Sequence, residues 1–160
     1  MTAAVSTFFA TDEFDADTFD PLAHGFRHYG AFGFENFMGP FYVREADEGF
    51  ELLVKVEDRH TNALDAAHGG FMLAVADIFL SATCFLHLKG KQHFVTVNLA
   101  HEFFGPAPRG SWVRGHGRLR KEGKSLMFPE CEFFIGDELI GLARCVMKKL
   151  KMATPTDPDA

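Results

Sequence analysis

The strongest constraint on the fold is one apolar run in the middle of the chain. Residues 68–88, HGGFMLAVADIFLSATCFLHL, contain a single acid, Asp77, and could form about six helical turns. The run is long enough to cross a bilayer, but an Asp near a membrane centre costs about 2.5–3.5 kcal/mol. We therefore expect a core helix, wrapped by other elements because it is apolar nearly all round.

The composition of the chain is that of a single soluble domain. Apolar residues make up 47% and charged residues 24% of its 160 residues, which is ordinary for a globular protein. A formal net charge of −6 argues against nucleic acid as a partner. The three cysteines lack CxxC pairing, so we expect reduced core thiols and no metal or other cofactor. No signal-peptide pattern is evident, which favours a cytoplasmic location.

The order of elements predicts the fold class. We expect an acidic, flexible arm over 1–20, one domain over 21–151 and a flexible tail over 152–160. The domain should contain a short helix over 33–40, a hairpin turning at 47–49, the central helix, and about four strands, of which the last two are joined at 135–137. This order predicts an α+β fold in which a curved antiparallel sheet wraps one long helix. In the strand after the helix, alternation places Val95, Val97 and Leu99 on one face and Thr96, Asn98 and Glu102 on the other.

Helical periodicity places Asp77 on a stripe of small residues, with Gly70, Ala74, Ser81 and Cys84. Another chain or a ligand could therefore approach its carboxylate closely. A carboxylate in apolar surroundings must find hydrogen-bond donors. Such a group is suited to act as a general base or a nucleophile.

The residues just before the helix can polarise a carbonyl group. The sequence HTNALDAAHGG places Asn62, His68, Gly69 and Gly70 at the helix entrance, where backbone N–H groups are unpaired and the helix dipole is positive. Such donors stabilise the oxyanion that forms in acyl transfer. Together with an acid two turns into the helix, they predict hydrolysis of an acyl compound.

The segment HTNALDAAHGGFMLAVAD resembles the signature of the hotdog-fold acyl-CoA thioesterases, particularly the phenylacetate-pathway type of the 4-hydroxybenzoyl-CoA thioesterase superfamily. That signature has an Asn six residues before the His of HGG and an Asp nine residues after it, and Asn62, His68 and Asp77 match both spacings. The resemblance extends from about GPFYVRE to LARCVMKKL. It implies the hotdog fold and hydrolysis of an acyl- or aryl-acyl-CoA to the free acid and CoA.

The resemblance also implies a role for each site residue. Asp77 would be the general base or nucleophile, the Gly69 N–H would polarise the thioester carbonyl, and Asn62 would orient the water or the thioester. His68 would support the loop or bond near the sulfur, or it would merely cap the helix. Thr96 would assist Asp77, unless it is only a good strand former.

The family builds each site across a dimer interface, which implies a homodimer and further pairing into a tetramer. Substrate contacts are expected from Gly70 and Ser81 on the stripe. Arg118, Arg120 and Lys121 could bind the phosphates of CoA, or they could form a solvated strand face.

Two other functions stay open at this stage. One is a hotdog-fold hydratase or dehydratase, although the usual His-bearing motifs of those enzymes are not evident. The other is a non-catalytic acyl-CoA-binding protein, which would not need the intact set of Asn62, His68 and Asp77. We favour the thioesterase, and the sequence does not specify its acyl group or distinguish CoA from acyl carrier protein.

Overall fold

Within the described residues, seven antiparallel strands wrap one long helix. The computed structural model describes residues 18–30 and 32–150, so most of the expected arm and all of the expected tail lie outside the described residues. In chain order the elements are β1 (Arg27–His28), α1 (Phe34–Met38), β2 (Phe41–Glu45), β3 (Phe50–Lys55), a 3₁₀ turn (Asp58–His60), α2 (Gly69–His87), β4 (Phe94–Phe103), β5 (Trp112–Glu122), β6 (Leu126–Ile135) and β7 (Glu138–Lys149).

The strands form one sheet in the order β1-β2-β3-β5-β6-β7-β4. Every neighbouring pair is antiparallel. Gly49 and Gly136 have positive φ angles at the β2–β3 and β6–β7 turns, a conformation in which glycine is favoured. The predicted α+β fold, its two hairpins and its short first helix are confirmed.

α2 lies in the core of the domain. Its mean hydropathy of 1.8 over 18 residues is high enough for a membrane span, but 56% of that window is buried against the rest of the chain. The helix approaches β5 closely because β5 has glycines on its inner face. A Cβ on Gly115 would lie 2.3 Å from a Phe79 ring carbon, and one on Gly117 would lie 2.0 Å from Thr83 Oγ1. The prediction of a core helix is therefore confirmed.

The outer face of the sheet is covered near β3 by the segment before α1. Leu53 points away from α2 and forms a second apolar cluster with Phe26 and Trp112. Glu51 on the same face is buried and accepts hydrogen bonds from Arg44 at 2.6 Å and Arg114 at 3.1 Å. β3 is thus buried on both faces.

A β-bulge changes the faces of β4. The pairing with β7 shifts between Thr96 and Asn98, so Val97 is an extra residue. Thr96 bonds to α2 and Leu99 packs on the core. The predicted alternation was therefore wrong, because Leu99 shares its face with Thr96 and not with Val95.

Candidate active site

Asp77 lies on the side of α2 that faces β4. Its side chain is half-buried, and Oδ1 accepts a hydrogen bond from the Thr96 hydroxyl at 2.8 Å. The hydroxyl has one proton and donates it to Oδ1, so Oδ2 is left to act on a water or a substrate. The structure thus brings together two of the predicted site residues within one chain.

The small-residue stripe is accessible only in its first part. Gly70 is exposed, and Ala74 and Ser81 are half-buried. Cys84, at the far end of the stripe, is fully buried, as expected of a core thiol. Thr83, which faces β5, is buried as well.

The cysteines offer no alternative nucleophile. Burial raises the pKa of the Cys145 thiol to about 12, and the neighbouring Cys84 and Asp77 act in the same direction. Burial also raises the pKa of Cys84 to about 12 and that of Cys131 well above its usual value. All three are free and buried, as predicted, and stay protonated at neutral pH. In the described part of the chain, no three His, Cys, Asp or Glu residues are grouped to hold a metal ion.

His68 caps the start of α2. Its Nδ1 atom accepts a hydrogen bond from the Gly70 N–H at 2.9 Å. Because Nδ1 accepts, the proton of the neutral ring is assigned to Nε2, which can donate to a ligand. A Cβ on Gly70 would lie 3.0 Å from Nδ1, so the glycine leaves room for the cap. With the Gly70 N–H occupied, the exposed Gly69 at the first helical position has the N–H that can meet a carbonyl oxygen.

Asn62 lies in the tight loop that leads to α2. Its Oδ1 atom accepts a hydrogen bond from the Leu64 N–H at 2.8 Å. Its backbone N–H donates to the Ala66 carbonyl, and its carbonyl accepts from the Asp65 N–H. Since Oδ1 stabilises the loop, any orienting contact to a substrate would come from the Nδ2 amide protons.

One chain holds two incomplete halves of the predicted site. The donor half consists of Asn62, His68 and Gly69, and the acid half consists of Asp77 and Thr96. Eight residues of helix separate Gly69 from Asp77, which is about 12 Å along the axis. Reacting atoms must approach to about 3–3.5 Å, so the two halves of one chain cannot act on the same carbonyl carbon.

Two of the three basic residues predicted to bind CoA form ion pairs with glutamates on the outer face of the sheet. Arg118 donates to Glu132 at 2.9 Å, and Arg120 donates to Glu130 from Nε and Nη2 at 3.0 and 2.6 Å. Lys121 is exposed. In the described residues, no hydrogen bond or ion pair joins these three to the donor half or the acid half, and their binding role stays a prediction.

Sequence reasoning gave no role to His101 on the inner face of β4. Its ring packs against Phe103 and Phe133, with centroids 4.2 and 5.0 Å away. Neither ring nitrogen has a hydrogen-bond partner in the described residues, and burial lowers the pKa of the ring. A Cβ on Gly141 would lie 2.6 Å from Nε2, so that glycine makes room for the imidazole. His101 lies two residues after Leu99 in regular register with β7, so alternation with Leu99 is the sequence signal that could have placed it on the inner face.

Known proteins resemble this chain in sequence and in architecture. Residues 64–141 match the model of the thioesterase superfamily. A Pseudomonas aeruginosa protein provisionally named an esterase is 30% identical over 107 residues, which cover 66% of this chain and 80% of that relative.

Among solved structures, thioesterase superfamily member 2 from Mus musculus aligns with a TM-score of 0.63 and 26% identity, covering 75% of this chain and 89% of that one. The Escherichia coli PaaI protein from the phenylacetic acid degradation operon aligns with a TM-score of 0.63 and 18% identity, covering 69% and 80%. A conserved Pseudomonas aeruginosa protein, PA5202, aligns with a TM-score of 0.68 and 18% identity, covering 75% and 95%. These neighbours share the hotdog architecture.

Proposed function

The chain is a hotdog-fold member of the thioesterase superfamily, and on that basis we propose that it hydrolyses an acyl- or aryl-acyl-CoA to the free acid and CoA. The observation that carries this proposal is the contact between the Thr96 hydroxyl and Asp77 Oδ1 at 2.8 Å. This contact orients a carboxylate on an accessible helix face. Its second oxygen, Oδ2, accepts no hydrogen bond from the described residues and can act on a water or a substrate. Cytoplasmic location is part of the same proposal.

Asp77 supplies the reactive group in this mechanism. As a general base, Oδ2 takes a proton from a water that attacks the thioester carbon. As a nucleophile, it attacks that carbon itself and forms an anhydride that water then hydrolyses. In both routes the C–S bond breaks, CoA leaves as a thiolate that takes up a proton, and the acid is released.

The donor half stabilises the negative charge that develops on the carbonyl oxygen. The Gly69 N–H has no intrahelical partner at the start of α2, where the helix dipole is positive. The His68 Nε2 proton can donate to a ligand, because Nδ1 accepts the Gly70 N–H. Asn62 would orient the attacking water or the thioester through its Nδ2 protons.

A second copy of the chain is needed to complete each site. Among the strands that the structure describes, β4 pairs only with β7, and its other edge, ten residues long, has no described neighbour. That edge exposes apolar side chains, among them Val97 at 60%, Phe103 at 52% and Phe104 at 54% exposure. A long apolar edge strand is an aggregation hazard unless another chain covers it.

A two-fold dimer with antiparallel α2 helices would place each acid half beside the partner's donor half. The small side chains of Ala74 and Ser81, both half-buried on the stripe, leave space for this approach. We propose an obligate homodimer with two shared sites, which pairs again into a tetramer.

The first experiment is a substrate panel. The purified protein is assayed for thiol release from aliphatic acyl-CoAs of increasing length, from aryl-acyl-CoAs such as phenylacetyl-CoA, and from the matching acyl carrier protein thioesters. Turnover of at least one CoA thioester is expected. If no thioester on the panel is hydrolysed above the rate in buffer, the proposed activity is wrong.

The second experiment tests the shared sites by mixing two inactive chains. Asp77→Asn chains lack the acid half, and Gly69→Pro chains lack the donor N–H. After subunit exchange, half of the dimers are mixed and each has one intact site, so activity should rise to about a quarter of the wild-type value. Labelled subunits show whether the chains have exchanged. If they have exchanged and no activity is recovered, the shared-site mechanism is rejected.

A further inference from the structure

A forked ion pair joins the loop of the donor half to the strand connection after β4. Arg109 Nε lies 2.8 Å from Asp65 Oδ1, and Arg109 Nη2 donates to Asp65 Oδ2 at 3.2 Å. The Arg109 N–H also donates to the Asp65 carbonyl at 3.0 Å. We propose that Arg109 is a positioning residue that fixes Asn62 for the thioester reaction; this inference rests on the proposed function.

Asp65 is the turn residue of the Asn62 loop. Its φ angle is +58°, a left-handed conformation that residues other than glycine seldom adopt. Its N–H donates to the Asn62 carbonyl at 3.1 Å. The strained turn therefore sets where Asn62 lies, and the two-pronged contact with Arg109 holds the turn in that conformation.

Arg109 also reaches the other flank of the loop. Its Nη1 atom donates to Asp58 Oδ1 at 3.3 Å, in the 3₁₀ turn four residues before Asn62. One guanidinium thus connects the residue four positions before Asn62 with the residue three positions after it. The Arg109 guanidinium therefore contacts both carboxylate oxygens of Asp65 and one of Asp58.

Backbone pairing brings Arg109 to this position. Ala66 forms an isolated β-bridge with Pro108, and the Ala67 N–H donates to the Ala107 carbonyl at 2.7 Å. The connection after β4 therefore lies alongside the loop that leads to α2. Because the Arg109 and Asp65 side chains are 51% and 65% exposed, dissolved salt should weaken the contact.

The test uses the full-length protein and the acyl-CoA that it hydrolyses fastest. Arg109→Met removes the ion pair, and Asp65→Gly removes it while keeping a residue that tolerates positive φ. Each variant should lower kcat about three- to fivefold, as expected for loss of an exposed ion pair of good geometry. Arg144→Met is the matched control, because Arg144 on β7 is an exposed arginine that pairs with Glu130 on β6 at 3.1 Å. The kcat of this variant should equal that of the wild type.

A double-mutant cycle separates positioning from general stability. If Arg109 acts through Asn62, then Arg109→Met should cause no further loss of kcat in the Asn62→Ala background. Raising NaCl from low to high concentration should lower kcat of the wild type and leave that of Arg109→Met unchanged. Equal losses in both backgrounds, or a wild-type kcat for Arg109→Met, would overturn the inference.

Amide hydrogen exchange tests the loop without any substrate. The Leu64 and Asp65 amides bond to the two oxygens of Asn62, so both should exchange faster in Arg109→Met than in Arg144→Met. If the substrate panel shows no hydrolysis, faster exchange still demonstrates the loop clamp and only the activity is rejected. Unchanged exchange rejects the clamp whatever the activity.

Discussion

The two faces of α2 meet the sheet in opposite ways. On the face toward β5, Phe79 and Thr83 lie so close to the strand that only glycines fit opposite them, at 115 and 117. On the face toward β4, Asp77 is half-buried and meets the strand through one hydrogen bond to Thr96. The closed face has no room for a methyl group at these two glycines, whereas Asp77 and Thr96 on the open face are half-buried and exposed.

This contrast indicates that one face stabilises the fold and the other serves the proposed activity. Close packing on the closed face stabilises the fold, because interior atoms gain dispersion contacts and lose water. The open face carries the polar groups that would otherwise be costly in a core. Substitutions on the open face should therefore change activity, and substitutions on the closed face should change the free energy of unfolding.

The largest effect is expected from Asp77→Asn. This variant keeps an acceptor for the Thr96 hydroxyl but removes the base or nucleophile, so kcat should fall about 10²- to 10⁴-fold with an unchanged unfolding midpoint. Thiol release and chemical denaturation measure the two quantities. Asp47→Asn, an exposed acid in the β2–β3 turn, is the control. If Asp77→Asn kept the wild-type kcat, the open face would have no catalytic role and the contrast between the two faces would be wrong.

Gly69→Pro should have the next largest effect. Proline is favoured at the first helical position and lacks only the N–H, and His68 already has the extended backbone, φ −64° and ψ 139°, that a residue before proline requires. Loss of one oxyanion donor should lower kcat about 10²- to 10³-fold. Gly69→Ala is the control, because its Cβ would meet only a Phe103 ring carbon at 3.9 Å. Equal kcat values for the two variants would show that this N–H does not polarise the carbonyl.

Gly117→Ala tests the closed face. Its Cβ would overlap Thr83 Oγ1, and such overpacking should lower the free energy of unfolding by about 1–3 kcal/mol. Urea denaturation gives this value, and kcat per folded molecule should stay near that of the wild type. Gly30→Ala, with no atom within 4 Å of the added Cβ, should be neutral. If Gly117→Ala left the free energy of unfolding unchanged and lowered kcat, the closed face would serve activity and not stability.

The smallest effect is expected from Thr96→Val. It removes one hydrogen bond to Asp77 while conserving shape, and a bond of this kind contributes about 0.5–1.5 kcal/mol. That corresponds to a loss in kcat of about two- to tenfold. Thr96→Ser keeps the hydroxyl and should recover most of the activity. A loss as severe as that of Asp77→Asn would mean that Thr96 acts directly on the substrate.

The sequence predicted those parts of the fold that depend on local signals. The length and apolarity of residues 68–88 predicted α2, and glycine-containing turns predicted the two hairpins. The spacing of Asn62, His68 and Asp77 predicted a site near the start of α2. The pairing of Asp77 with Thr96 was implied by family resemblance and agrees with the observed contact.

Features that depend on tertiary structure could not be predicted in this way. Periodicity places the Asp77 stripe but does not give the accessibility of each position, which falls from exposed Gly70 to half-buried Ser81 and buried Cys84. The contact between Arg109 and Asp65 joins residues 44 positions apart, and neither lies in a recognisable pattern. The cover over Leu53 comes from a segment without regular alternation.

The bulge in β4 has a consequence for how chain length can vary in this strand. Thr96 and Leu99 both point inward because two residues between them occupy one place in the ladder with β7. A chain with one residue fewer between these positions would need no bulge and would still direct the hydroxyl at Asp77. An alignment of homologues should therefore tolerate a single gap at Val97 or Asn98, while an unbulged strand of the present length would turn Thr96 away from the helix.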